Sequence, residues 1–398
     1  MFNSKFFGGI LLIIGTSIGG GMLALPVATA SVGFVNSLIF LILCWIIMTI
    51  GALLILEVNM QLPIGSNMIS MAKATLGLPG QIIGWITYLL LLYALISAYI
   101  SGGSDVLQQL MQRIHISLPN WITSIIFTML FGAVVYNGIN AVISVNRILM
   151  LGKFGVYILL ILVISPYIKI QSWLGGTANT ITSSIMVLIT SFGFASIIPS
   201  LREYLHNDLV LLRKLVIIGS LIPLICYILW DAVIMGVIPR HGVHGLMVLN
   251  QTDHATSGLN IALNAAVNSH IISGFFNFFT SICMITAFLG VSIGLFDFLA
   301  DGCKLQKTGI QKVMLCGFTF LPPLIIVLMK PGIYLHALSY AGICCIILLL
   351  LLPIIMAWSA RVRSVKTTQN IKILVGGGYP FLVIILLIAM YLLCINIK

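Results

Sequence analysis

The chain has 398 residues, of which 60% are hydrophobic and 7% are charged, and its formal net charge is +11. A mean hydropathy of +1.19 excludes a soluble globular protein and predicts an all-α integral membrane protein. In such a chain the positive charge reports orientation in the membrane, so it does not predict nucleic-acid binding.

Eleven apolar segments are long enough to cross a bilayer as helices, which takes about 20 residues each. They are 7–31, 33–58, 80–102, 120–138, 148–168, 180–200, 211–238, 271–300, 308–329, 333–357 and 374–396. Grouping by fives gives a first repeat over 1-170, a second over 171-357 and an eleventh span in 358-398. Because five is odd, the second unit enters the membrane from the opposite side, and the repeats are inverted.

Lysine and arginine are distributed unevenly between the two sides of these spans. With the N-terminus inside, fourteen of the nineteen lie on the cytoplasmic side or at cytoplasmic helix ends, and five lie outside. Since cytoplasmic loops carry the excess of lysine and arginine, we expect a cytoplasmic N-terminus and a periplasmic C-terminus.

The first span is interrupted by residues 15–21, which read Gly-Thr-Ser-Ile-Gly-Gly-Gly. Glycine destabilises a helix, and unpaired backbone groups in lipid cost several kcal/mol each. Such a stretch is tolerated where protein or a water-filled cavity covers it. It therefore predicts exposed backbone that binds a ligand.

The sixth span carries a matching interruption, Thr-Ser-Phe-Gly-Phe-Ala-Ser at 190–196. Pro199 follows it, as Pro26 follows the first break. The alternative is a pair of small-residue packing faces, since Gly15 and Gly19 also fit GxxxG. Paired interruptions at corresponding positions of two halves favour a transport site near the bilayer midplane.

These residues resemble the hydroxy/aromatic amino acid permeases of the amino acid/polyamine/organocation superfamily. The similarity is carried by residues 15–26, 93–102, 190–194, 288–297 and 320–323, and it extends nearly end to end. It implies a LeuT-type 5+5 inverted repeat plus one extra helix, with helices 1 and 6 discontinuous. It also implies a location in the bacterial cytoplasmic (inner) membrane.

A zwitterionic amino acid needs N–H donors for its carboxylate and carbonyl acceptors for its ammonium. An unwound helix supplies both, at the start of its second half and the end of its first. The resemblance adds carbonyls from the second break, and nearby aromatic residues would enclose the side chain. The expected substrate-binding residues are Gly15, Thr16, Ser17, Gly19, Gly20, Gly21, Met22, Tyr93, Ser191, Phe192, Gly193, Phe194 and Phe288.

Two ionisable residues lie at membrane depth. Lys153, about five residues into span 5, either extends to the inner interface or points inward between spans 1 and 8, near Thr286. The resemblance to proton-coupled members of the superfamily implies the second arrangement, with the lysine in place of a sodium ion. Asp231 in span 7 is a further proton-coupling candidate, with helix packing as the alternative.

Other charged residues lie near the predicted inner helix ends. Glu57 and Asp297 are expected either to pair with cytoplasmic lysine or arginine or to form a gate. On the outer side, the loop 239–270 contains a helical stretch, Leu259 to Val267, that we expect to act as a lid.

The sequence thus predicts a secondary active importer of aromatic amino acids, with tyrosine first, driven by proton symport. The alternatives are a tryptophan-preferring or broad aromatic permease, a sodium-coupled symporter and a membrane amino acid sensor. No cluster of catalytic groups lies at one depth, so an enzyme is not expected. The expected partners are substrate, protons and the lipid bilayer; no cofactor, metal, nucleic acid or obligatory protein partner is expected.

Overall fold

A computed structural model describes residues 4–252, 255–367 and 373–397, and the secondary structure described is helical. The α-helices are α1 Ser4–Ser17, α2 Gly20–Ala28, α3 Phe34–Asn59, α4 Met68–Arg113, α5 Asn120–Tyr136, α6 Ile139–Ile164, α7 Ile185–Ser191, α8 Ile198–Tyr204, α9 Leu209–Val237, α10 Leu246–Leu249, α11 Ala255–Val267, α12 His270–Cys303, α13 Gly309–Met329, α14 Tyr334–Ile346, α15 Leu352–Thr367 and α16 Gly378–Ile397. Short 3₁₀ segments lie at Ser165–Tyr167, Ile170–Trp173, Ala178–Ser183 and Gly193–Ile197, and a π-helical turn, Ile347–Leu351, joins α14 to α15.

Within these ranges, nine helices are long and apolar enough to span a membrane, or ten if the bent pair α1–α2 counts as one span. The apolar helix α5 coincides with the predicted fourth span, 120–138, but has only 17 residues. The multi-pass architecture is therefore present, and the count of eleven spans stays a prediction.

Two helices extend well beyond their predicted bounds. The third predicted span, 80–102, belongs to the 46-residue α4, which starts at Met68 with the Asn67 side chain capping its first turn. This helix is kinked at Gly77, whose φ of 74° precedes Pro79. Helix α12 runs over 34 residues. Apolarity alone marks the membrane-crossing part of each helix and misses the polar turns at the ends.

The two predicted interruptions differ in the structure. Helices α1 and α2 are bent by 51° at their break. After α7 ends at Ser191, the sixth span continues as a 3₁₀ helix before α8 begins. A 3₁₀ stretch within a helix often marks a hinge. The second interruption is thus a change of helix type.

The centre of the molecule is α2, all nine residues of which are buried. Helices α7, α9, α11 and α12 pack directly against it. The loop 239–270 forms α10 and α11, which both pack on α2, and α11 also packs against α4 and α12. The predicted lid helix is therefore present; it begins at Ala255, before the predicted Leu259.

Candidate functional site

The break between α1 and α2 exposes the backbone groups that the sequence predicts. Helix α1 ends at Ser17, and Gly19 adopts an extended conformation (φ −152°, ψ −145°) before α2 begins at Gly20. The last carbonyls of α1 and the first N–H groups of α2 lack partners within their own helices. Acceptors and donors therefore meet at one buried point.

The glycines at this break are also close-packed. A Cβ on Gly20 would lie 2.6 Å from the Tyr99 ring, and one on Gly21 would lie 3.1 Å from Ser191 Oγ. Both distances are shorter than ordinary van der Waals contact. The packing and ligand-binding interpretations of the glycine run are therefore compatible at these positions.

Tyr227 on α9 joins the two interruptions. Its hydroxyl lies 2.7 Å from the carbonyl oxygen of Ser17 and 2.8 Å from that of Ser191, the last residues of α1 and α7. The ring packs edge-on against Phe192, with centroids 5.3 Å apart. A phenol has a single hydrogen to donate, so the two carbonyls share one donor.

Lys153 is fully buried, with 0% exposure, and lies against the same break. Its Nζ donates to the carbonyl oxygen of Ile18 at 2.6 Å and lies 3.4 Å from Thr286 Oγ1 on α12. The lysine thus points inward between the first and eighth predicted spans. The alternative arrangement at the inner membrane interface is wrong.

Two further tyrosines contact the start of α2. Tyr334 on α14 donates its hydroxyl to the carbonyl oxygen of Gly20 at 2.5 Å. Tyr99 on α4 places its ring against the same residue. Tyr93, the predicted site residue, instead donates its hydroxyl to the carbonyl oxygen of Phe318 on α13. It lies six residues from Tyr99, on another face of α4.

The phenylalanines predicted for the site also lie in two different places. Phe192 and Phe194 are fully buried at the second interruption, as expected. Phe288 stacks on Phe320 and packs edge-on to Phe127. Its ring therefore belongs to an aromatic cluster joining α5, α12 and α13, rather than to the break.

The two hydroxyl side chains of the first break differ in whether they already form a hydrogen bond. Thr16 donates its hydroxyl to the carbonyl of Ile13 in its own helix, so it is not a free donor. Ser17 Oγ is buried and has no hydrogen-bond partner among the residues described. An unpaired buried hydroxyl costs about 1–3 kcal/mol. Ser17 Oγ is thus an unsatisfied polar atom at the break.

The remaining charged candidates lie in other contacts. Asp231 is buried, and one of its carboxylate oxygens accepts from Ser37 on α3 at 3.4 Å. Glu57 forms a buried bidentate pair with Arg361 at 2.7 and 2.9 Å. Asp297 pairs with Lys307 at 2.7 Å on the surface. The expected pairing with cationic side chains is therefore present for both gate candidates.

Glu57 also accepts hydrogen bonds from the backbone N–H groups of Leu374 and Val375, at 2.9 and 3.3 Å. The carboxylate thus ties the C-terminal part of α3 and α15 to the segment that leads into α16. This contact makes Glu57 a structural anchor between these helices.

Comparison with known proteins identifies the family of this chain. The sequence profile of the tryptophan/tyrosine permease family matches residues 2–395. Tyrosine-specific transport system 2 of Haemophilus influenzae is 32% identical over 99% of this chain and 97% of its own length. Tyrosine-specific transport system 1 of that organism is 33% identical, over 97% and 94%, and its tryptophan-specific transport protein is 30% identical, over 95% and 92%. A buried break in the first span, within a match of nearly full length, places this chain in the tryptophan/tyrosine permease family.

Proposed function

We propose that the protein imports an aromatic amino acid, tyrosine in the first place, by proton symport across the bacterial cytoplasmic membrane. The observation that carries this proposal is that carbonyls held by side chains of other helices meet the first N–H groups of α2 at the α1–α2 break. A zwitterion needs both kinds of partner within one molecule's length. Tyrosine is preferred over tryptophan because the two tyrosine-specific relatives are 32% and 33% identical, whereas the tryptophan-specific relative is 30% identical.

The substrate ammonium binds where the Tyr227 hydroxyl now lies. The carbonyls of Ser17 and Ser191 share one phenolic hydrogen, whereas an ammonium group has three. An ammonium therefore satisfies both carbonyls at once. The carboxylate then faces the N–H groups at Gly19, Gly20 and Gly21, on the positive end of the α2 dipole; the Met22 N–H already donates to the Gly19 carbonyl oxygen at 3.2 Å. Phe192 and Phe194 enclose the aromatic ring together with Tyr99.

Lys153 is the coupling residue in this proposal. Its ammonium holds the Ile18 carbonyl, one residue after the Ser17 carbonyl that receives the substrate. Loss of the proton weakens this charge-assisted bond and frees the backbone of the break to move. The ammonium occupies the position that a sodium ion would take among carbonyl and hydroxyl oxygens, which argues against sodium coupling. Asp231 is the weaker candidate because its contact is with Ser37 on α3.

Transport follows alternating access around the fixed break, with two inverted five-helix units and a cytoplasmic N-terminus. Helices α10 and α11 cover the outer side of α2, as expected for a state closed to the outside.

The test is uptake into proteoliposomes of labelled tyrosine, tryptophan and phenylalanine under imposed proton or sodium gradients. We expect accumulation of tyrosine with a proton gradient alone. Accumulation that requires sodium would refute the coupling, and accumulation of tryptophan in preference to tyrosine would refute the substrate assignment.

Lys153→Gln should still exchange internal for external tyrosine but should lose accumulation driven by a pH gradient. Asp231→Asn, measured beside it, should keep that response. A Lys153→Gln protein with unchanged proton dependence would remove the lysine from the mechanism.

A further inference from the structure

The N-terminus of the lid helix α11 is capped by a side chain from another helix. Asp105 on α4 is buried, and its carboxylate accepts from Ser257 N at 2.8 Å and Ser257 Oγ at 2.7 Å. It also accepts from Thr256 Oγ1 at 2.9 Å. The Thr256 hydroxyl lies 3.4 Å from the Gly102 carbonyl oxygen, so the lid contacts α4 along a full turn.

A helix N-cap is normally supplied by the residue just before the helix, and it therefore persists whenever the helix is formed. Here the acceptor comes from a different segment, 152 residues away from Ser257. The N–H group of Ser257 and the positive end of the α11 dipole are satisfied by this carboxylate only while α11 lies on α4. The cap thus depends on lid position.

Further polar contacts continue along the same face of α4. Gln109 and Arg113 follow Asp105 at intervals of four residues, which places the three on one face. We call this set the polar seam: Asp105, Gln109 and Arg113 on α4, Thr256, Ser257 and Asn260 on α11, and Ser273 and Asn277 on α12.

The seam is hydrogen bonded across all three helices. Asn260 contacts the side chains of Gln109, Asn277 and Ser273, and Arg113 donates to Ser273 at 3.3 Å. Hydrogen bonds of this kind fix one relative position of the helices, whereas apolar contacts tolerate sliding.

We propose that Asp105 is a positioning residue that holds the outer lid closed by capping α11. Opening to the outside detaches the cap, and water then replaces the carboxylate at the first turn of α11. The use of this step in a transport cycle rests on the proposed function. Closure of the lid is a property of the substrate-free protein, and it can be measured in the absence of substrate.

The experiment uses the full chain in right-side-out membrane vesicles, with a reporter cysteine at position 101. Ser101 is buried one turn below Asp105 on the same face of α4, so a Ser101→Cys side chain is covered while the lid is closed. A membrane-impermeant maleimide is added outside, and modification at position 101 is quantified by peptide mass spectrometry. The native cysteines can then remain in place.

Asp105→Ala is expected to raise the modification rate roughly fivefold, the change in equilibrium that loss of one N-cap produces. Asp105→Asn, which keeps one acceptor oxygen, should lie between this variant and the parent. The matched control is Asp208→Ala. Asp208 caps α9 by accepting from Leu211 N at 3.0 Å. The substitution therefore removes a carboxylate cap from a helix other than the lid. The control should leave the rate unchanged.

A second variant tests the same contact from the lid side. Thr256→Val combined with Ser257→Ala removes two of the three donors and should raise the rate in the same way, even if Asp105→Ala fails to fold. Equal rates in the parent and in the folded lid-contact variants would overturn the proposal. Absence of tyrosine uptake by the parent would refute the proposed function and leave the labelling contrast intact.

Discussion

Replacement of Tyr227 by phenylalanine tests whether its hydroxyl and the substrate ammonium compete for the same carbonyls. The substitution removes the donor shared by Ser17 and Ser191 and keeps the ring that packs on Phe192. Leaving buried acceptors unpaired costs about 1–3 kcal/mol. In the proposed complex the ammonium satisfies these carbonyls in either protein, so this cost applies mainly to the empty state.

Tyr227→Phe should therefore bind tyrosine more tightly, by about fivefold for ~1 kcal/mol. The empty protein should also melt at a lower temperature. Equilibrium binding of labelled tyrosine to purified protein gives the first quantity, and thermal unfolding with and without tyrosine gives the second. Transport turnover should fall because release of the substrate is slower.

The matched control is Tyr157→Phe. Tyr157 also donates its hydroxyl to a backbone carbonyl, that of Cys226, at 2.8 Å, but away from the break. This variant should lose stability without a change in tyrosine affinity. Weaker tyrosine binding by Tyr227→Phe would show that the hydroxyl is a partner of the substrate. An affinity shift shared with Tyr157→Phe would remove any specific role for Tyr227.

Two further substitutions follow from the packing. Glu57→Gln should destabilise the protein by about 3–5 kcal/mol because it leaves a buried arginine unpaired. Asp297→Asn, at a surface pair, should change the melting temperature little. Equal decreases in melting temperature for the two variants would refute the anchoring role of Glu57. Gly20→Ala should abolish tyrosine binding because the added Cβ meets the Tyr99 ring. Gly155→Ala should bind tyrosine normally because its added Cβ would have no neighbouring atom within 4 Å. Tyrosine binding retained by Gly20→Ala would mean that the Tyr99 ring moves away freely.

The first break and the unusual depth of Lys153 could be predicted because both leave local signals, whereas the inward direction of the lysine followed only from the family resemblance. Four glycines within an apolar run, and a charge several residues inside a span, are each unfavourable in lipid unless the fold compensates. The sequence therefore marks these positions without knowledge of their neighbours. The chemistry expected there, free carbonyls beside free N–H groups, follows from helix geometry alone.

The tyrosines around the break could not be chosen from the sequence. Tyr93 and Tyr99 lie on the same helix, and only the rotation of α4 decides which one contacts Gly20. Tyr227 sits in an apolar span with no neighbouring motif, like most of the chain's twelve tyrosines. Phe288 carries a family-like pattern yet packs into a separate cluster. Which aromatic side chain contacts the break depends on tertiary packing, and a local sequence pattern does not predict that packing.

The binding atoms proposed for this protein belong almost entirely to the main chain. The carbonyls of the two interruptions that are engaged by side chains from other helices are those of Ser17, Ile18, Gly20 and Ser191. Changing the side chain at any of these positions leaves the carbonyl in place. Alanine scanning at Ser17, Ile18 and Ser191 will therefore be nearly silent, whereas Gly20→Ala acts through the Cβ that it adds against the Tyr99 ring. Alanine scanning will instead report the residues that support these carbonyls: Tyr227, Lys153 and Tyr334.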